Sequence, residues 1–330
     1  MRRVVNGVCL ALMFASTAAA QTGVERDSAS HTTRMVTVAP DVRLEVLDWG
    51  GSGRAVVLLA GLGGTAHTFD DFAPHLAANY HVYGITRRGF GRSSAPMYGY
   101  GADTLADDVL VVADSLGLSR PIVVGHSMAG EELSSIGSRH PERVSGLIYL
   151  DAGYDYALYD TTHGNATIDL NELIRKLGSL RFGSGASAVE RRRTMIALAD
   201  TALPALSGRF HAILKDSPML PGPAPRPMAR IPYAMIAGQR KFTSVQGPVL
   251  AIFASPPEAP PGAENDPAMR EMITEVDSAT ETQVRAFARQ VPQARAVRIP
   301  RANHFLYRSH EARVLQEIHA FINTLPGGVR

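Results

Sequence analysis

Two kinds of hydrophobic pattern share this chain. Near the start, Met35-Val36-Thr37-Val38-Ala39 and Leu44-Glu45-Val46-Leu47-Asp48 alternate apolar with polar, as strands with one wet face do, and Asp41 sits in the turn between them. Further on the apolar positions run without interruption, at Val56 to Ala60, His81 to Ile85, Ile122 to Gly125, Gly146 to Leu150 and Pro248 to Ala254. A sheet covered on both faces requires such runs. Helix-like stretches lie between them, at Phe69 to Asn79, Thr104 to Leu116 and Glu131 to Arg139. Alternation of strand and helix predicts an α/β fold with a mostly parallel central sheet flanked by helices. The pattern ends with a strand-like Arg295 to Pro300 and an apolar stripe, Val314, Leu315, Ile318, Phe321 and Ile322, at helical spacing. Ser309 is placed to cap that last helix.

The run from Gly153 to Gly247 is more than the sheet needs. It holds helix-like pieces near Ile168 to Leu180, Ala188 to Ala202 and Ala205 to Leu214, and a proline-rich hinge from Ser217 to Pro227. The organisation read from this is a core over 34–152 and 248–330, interrupted by a helical cap over 153–247. Tyr154, Tyr156, Tyr159, Phe182, Phe210, Met228, Tyr233 and Met235 are the cap residues able to line a pocket or simply to pack. With 330 residues and 45% hydrophobic content the chain can bury a large core.

Composition changes the picture at the N-terminus. Met1-Arg2-Arg3 is basic, Val8 to Phe14 is apolar but too short to span a bilayer, and Ala18-Ala19-Ala20 offers a small-residue cleavage site before Gln21. This reads as a signal peptide over 1–20, followed by a flexible polar lead-in over 21–33, and it implies a secreted or periplasmic protein without stable membrane insertion. Cleavage removes Cys9, the one cysteine, and leaves no thiol for chemistry. The formal charge of +2 comes from the leader's two arginines, so no nucleic-acid partner is implied.

The chemistry concentrates at Gly125-His126-Ser127-Met128-Ala129-Gly130, between an apolar strand and a helix. A sharp strand-to-helix turn projects its middle side chain into a cleft and tolerates only small neighbours, here Gly125 and Ala129. Ser127 is therefore the candidate nucleophile. The Met128 N–H, at the positive end of the following helix, can donate to an oxyanion. A serine also needs a histidine to take its proton and a carboxylate to orient that imidazole.

The elbow, the loop Ala60-Gly61-Leu62-Gly63-Gly64 after the third strand and Arg88-Gly89-Phe90-Gly91-Arg92-Ser93-Ser94 after the fourth together resemble the α/β-hydrolase superfamily. The resemblance covers roughly residues 35 to 152 and 246 to 326. It implies a serine esterase-like enzyme with a cap. The Leu62 N–H would be the second oxyanion donor, and the base would be His304, which follows the last strand. Two departures stand out: Ala60 replaces a common histidine, and Thr86-Arg87 replace a common aspartate. The acid usually follows the Pro248 to Ala254 strand, where Glu258 lies in a proline-stiffened loop and the familiar aspartate is absent. Glu258 is the first choice, Asp151 after the Leu150 strand end is the alternative, and Asp266 stands further off. His126 is expected to pack under the elbow, and His310 and His319 belong to the last helix.

The glycine-rich pieces lack the spacings that cradle phosphates, and no metal-ligand motif such as H-E-x-x-H is present. The expectation is a hydrolase without cofactor or metal, cleaving a small-molecule carboxylic ester or lactone through an acyl-enzyme. Amide or peptide hydrolysis and C–C bond hydrolysis are the alternatives that share a triad. A non-catalytic ligand-binding protein on the same scaffold is the alternative from another class. The oligomeric state is open.

Overall fold

A computed structural model describes residues 30–182, 187–216, 228–259 and 267–327. The leader, the hinge from Ser217 to Pro227 and Asp266 lie outside the described residues.

The runs read as strands form one eight-stranded sheet in the order β1-β2-β4-β3-β5-β6-β7-β8. The members are β1 (Thr32–Ala39), β2 (Val42–Gly50), β3 (Ala55–Leu59), β4 (His81–Ile85), β5 (Ile122–His126), β6 (Gly146–Leu150), β7 (Val249–Ala254) and β8 (Arg295–Ile299). β1 and β2 pair antiparallel, as does β2 with β4, and every other neighbour is parallel. The two alternating strands are thus the antiparallel ones. The continuous apolar runs are the parallel strands, whose side chains must satisfy two covered faces. β1 begins at Thr32, inside the expected lead-in, because Thr32 and Thr33 pair with Asp48 and Leu47.

Successive residues of each strand go to opposite faces. Val57, Leu59, Val123, Leu147, Tyr149, Ala251 and Phe253 pack with Val109, Leu133, Ile136, Val284 and Phe287 from the helices Ala102–Ser115, Gly130–Arg139 and Pro267–Gln290. Val56, Leu58, Val124, Ile148, Leu250 and Ile252 pack on the other side with Phe69, Leu76, Val314, Ile318 and Phe321. Each such aliphatic burial stabilises by about 1.5–3 kcal/mol before chain entropy is set against it. The long helix Pro267–Gln290 was not legible beforehand, since much of its length is polar and Val284, Ala286 and Phe287 are its buried apolar positions.

The last helix spans Glu311–Ile322, and its N-cap is His310, without a side-chain cap. Ser309 does not cap it: its Oγ accepts from the Asn303 N–H at 3.3 Å, in the turn that carries His304. Between β6 and β7 the chain runs through the helices Ala166–Phe182, Ala188–Ala197, Leu203–Asp216 and Arg230–Ala237. Among the described residues no helix is long and apolar enough to cross a membrane.

The strand order locates the crevice. From β3 the chain passes to the face of Phe69 and Leu76, whereas from β5 it passes to the face of Leu133 and Ile136. Adjacent parallel strands whose connections leave in opposite directions open a cleft at their carboxyl ends. The loop 60–64 and Ser127 are the two segments that meet there.

Candidate active site

Ser127 stands at φ 54°, in the left-handed region that costs an L-residue of order 1 kcal/mol or more and persists only where the surroundings enforce it. The enforcement is visible on both sides of the turn. A Cβ on Gly125 would come 2.9 Å from the Ala129 Cβ, and one on Gly130 would come 2.1 Å from the Ala152 carbonyl oxygen. Strand end, elbow and helix start thus lie closer together than side chains would permit. Ala129, in place of a second glycine, is small enough to close the turn.

His304 lies beside this elbow. The His126 Nε2–H donates to the His304 carbonyl at 2.9 Å, and the two imidazole centroids are 4.6 Å apart. Complete burial holds the His126 pKa well below the usual imidazole range, so that ring is neutral and its one N–H is spent on His304. The expected packing role of His126 is what its contacts describe.

The carboxylate that meets His304 is Asp151, whose Oδ2 lies 2.8 Å from the imidazole Nδ1. Asp151 is 3% exposed and itself sits at φ 47°. Its backbone N–H donates to Ile252, while its Oδ1 accepts from the Ala254 N–H at 3.0 Å and from the Tyr154 hydroxyl. With Oδ1 committed, Oδ2 is left aimed at the imidazole. The first-choice acid, Glu258, is not brought to His304. Its side chain is exposed and has no partner among the described residues, because its loop is tied by Glu258 N–H to Ala302 and by Arg301 N–H to Pro256. The strand-end acid is the one the fold positions.

The loop after β3 crosses the elbow at close range. A Cβ on Gly61 would lie 3.1 Å from both the Ser127 Cβ and the His126 Nδ1, and Gly64 N–H closes a turn onto the Gly61 carbonyl at 3.2 Å. Leu62 is in that turn, and Met128 is buried at the first helical position after Ser127. The carbonyls of the loop are fixed by Arg87, which donates to Gly61 at 3.0 Å and also to Ala60. The guanidinium is paired with Glu132 in turn, with both side chains nearly inaccessible. In the sequence Arg87 stands only as a departure from the family pattern. A basic residue followed much later by an acid on the elbow helix carries no local signal, so its positioning of the loop was not readable.

On the side of the elbow helix, burial and the neighbouring Glu132 push the Glu131 carboxyl well above the usual range, and one of its oxygens has no partner among the described residues. Gln239 hydrogen-bonds Glu131 and directs its Nε2 toward the Met128 sulfur at 4.0 Å. Of the candidate pocket residues, Tyr154, Tyr156, Tyr159 and Met235 are buried, while Phe210, Met228 and Tyr233 are exposed. Tyr159 is bound to Asp169 at 2.8 Å, a structural tie within the inserted helices. The Phe182 side chain lies outside what is described.

Away from the elbow, His31, His67 and Asp70 come together, a His/Asp cluster that sequence spacing did not reveal. The His67 Nδ1 is 3.0 Å from Asp70 Oδ2, and the His31 Nε2 is 4.0 Å from Asp70 Oδ1. Ligand atoms about 2 Å from one ion can be at most about 4 Å apart, so the cluster stands at the outer limit for sharing a metal. What it does in this structure is tie the start of β1 to the segment after the loop 60–64.

A profile of the alpha/beta hydrolase fold matches residues 54–186. A fluoroacetate dehalogenase of Burkholderia is 33% identical over 116 residues, which is 34% of this chain and 38% of that protein. The bifunctional epoxide hydrolase 2 of Rattus norvegicus is 31% identical over 119 residues, 35% of this chain and 21% of that one. The chain therefore spans well under half the length of these curated relatives. A solved esterase of Thermogutta terrifontis superposes with a TM-score of 0.54 over 89% of this chain and 98% of its own, at 21% identity.

Proposed function

Because the chain belongs to the α/β-hydrolase superfamily, we propose that it is a serine hydrolase of carboxylic esters or lactones, exported to the periplasm or beyond after loss of its leader. The observation that carries this reading is the 2.8 Å contact between His304 Nδ1 and the buried Asp151, beside a serine held at φ 54°. The relatives' names range over different bonds and do not carry the substrate. Its support is a serine in a strained elbow, an imidazole with Nδ1 on a buried carboxylate, and a loop that lies against the serine and His126.

In this mechanism Ser127 Oγ attacks the carbonyl carbon as His304 takes its proton. Asp151 holds the imidazole in the tautomer that leaves Nε2 free to accept, and stabilises the imidazolium once formed. The Leu62 and Met128 N–H groups receive the oxyanion. His304 then returns the proton to the leaving alcohol, and water repeats the cycle on the acyl-enzyme. No cofactor is needed for any step.

The test is ester turnover by the purified mature chain and by Ser127→Ala. The substitution keeps the Cβ and removes one hydroxyl, so folding should stay intact, while kcat falls by about 10³-fold or more. A folded Ser127→Ala protein with near-normal turnover would refute the reading.

A further inference from the structure

Tyr154 and Tyr156 stand two residues apart in the segment that leaves β6, and their hydroxyls have opposite fates. The Tyr154 hydroxyl donates to Asp151, whereas the Tyr156 hydroxyl is buried with no hydrogen bond of ordinary geometry to any described residue. A buried hydroxyl without a well-formed bond is open to a ligand that supplies one.

The surroundings say where such a ligand would sit. The segment of Tyr156 lies hard against the elbow helix, since a Cβ on Gly130 would come 2.8 Å from the Ala157 Cβ. The phenol feels the Ser127 hydroxyl directly, although the two do not form a well-aligned hydrogen bond. Burial and the carboxyls of Asp151, Glu131 and Asp155 push its pKa well above the usual phenol value. The group therefore keeps its proton at working pH and has an O–H to donate. In the sheet, β3 and β6 flank β5 on opposite sides. The loop after β3 comes to Ser127 from one side, and Tyr156 and Asp151 come from the other.

We propose that Tyr156 is a catalytic residue that donates a hydrogen bond to the leaving oxygen of an ester bound at Ser127. The inference rests on the serine-hydrolase reading. A carbonyl oxygen turned toward the loop 60–64 would leave the alkoxy oxygen on the β6 side of Ser127, the side from which Tyr156 comes. Ser127 Oγ forms the new bond to carbon and its proton passes to His304. On collapse the bond to the leaving oxygen breaks, that oxygen takes the electron pair, and the His304 proton moves to it. Tyr156 keeps its own proton throughout and lowers the charge that builds on the oxygen before the transfer is complete.

The experiment compares wild type with Tyr156→Phe on p-nitrophenyl acetate and on the similarly shaped p-methylphenyl acetate, whose departing oxygen needs far more help. Alongside it, the rate of Ser127 modification by a fluorophosphonate and the melting temperature are measured. The expected result is a loss in kcat of roughly ten- to hundredfold on the p-methylphenyl ester and about threefold or less on the p-nitrophenyl ester, with an unchanged or higher melting temperature. Equal losses on the two esters, or none, overturn the proposal, because a packing role or a water-satisfied hydroxyl would not discriminate between leaving groups. A wild-type chain that neither turns over ester nor reacts at Ser127 removes the hydrolase reading and this inference together. Wild-type turnover with an indifferent Tyr156→Phe removes the inference alone.

Discussion

The ends of β6 and β7 each present a carboxyl group to the neighbourhood of the His304 turn, and they differ in everything that fixes a charge in place. At the end of β6, Asp151 is buried, its backbone N–H is spent on β7, and one of its oxygens is held by the Ala254 N–H and the Tyr154 hydroxyl. At the end of β7, Glu258 is exposed, and what its loop contributes is backbone hydrogen bonding to the turn 301–302. Proximity in sequence to a strand end is common to both. A catalytic carboxylate must also be desolvated enough to act strongly and bonded enough to aim, and only the β6 end supplies that.

Replacing each acid by its amide should split the two sites widely. Asp151→Asn keeps the shape but favours the wrong imidazole tautomer and cannot stabilise the imidazolium, so kcat on an ester should fall by about 10⁴-fold in a folded protein. A loss below tenfold would break the comparison at its stronger end. The same contrast between a partnered buried charge and a solvated one extends to the loop after β3. Arg87→Met strands Glu132 in the interior, and a broken buried pair of this kind costs about 3–5 kcal/mol, read by denaturant unfolding. The loop carbonyls that Arg87 holds would also be released, so activity should fall beyond what the unfolded fraction explains. Glu258→Gln is the smallest effect: stability within about 0.5 kcal/mol and turnover near wild type, checked by the same unfolding curves and ester assay.

The inner parallel strands were legible because they must be apolar on both faces, whereas β8 at the sheet edge keeps Arg295 and Arg298 exposed. The elbow was legible because steric demand at one turn selects small residues at fixed offsets around Ser127. His304 is singled out in the sequence by its place after the last strand. The choice between Glu258 and Asp151 was not readable, for a physical reason: carboxylates end many strands, and what distinguishes Asp151 is a left-handed backbone and bonds from Ala254 and Tyr154. Those bonds depend on β6 and β7 lying side by side, which sequence order alone does not state. Arg87 and the His31, His67 and Asp70 cluster were hidden for the same reason, being contacts between segments far apart in the chain. The helix Pro267–Gln290 escaped because it is polar over most of its length, and Val284, Ala286 and Phe287 near its end are the apolar positions it buries among the described residues.

The central claim is that Ser127 is activated through His304 by Asp151. Its most direct test is the rate at which a fluorophosphonate modifies the chain, followed by mass mapping of the labelled peptide, in wild type, Glu258→Gln and Asp151→Asn. The account predicts label on Ser127 at closely similar rates in the first two, and a rate lower by about 10³-fold or more in Asp151→Asn. Label on a residue other than Ser127, or Asp151→Asn reacting as fast as wild type while Glu258→Gln does not, would contradict it.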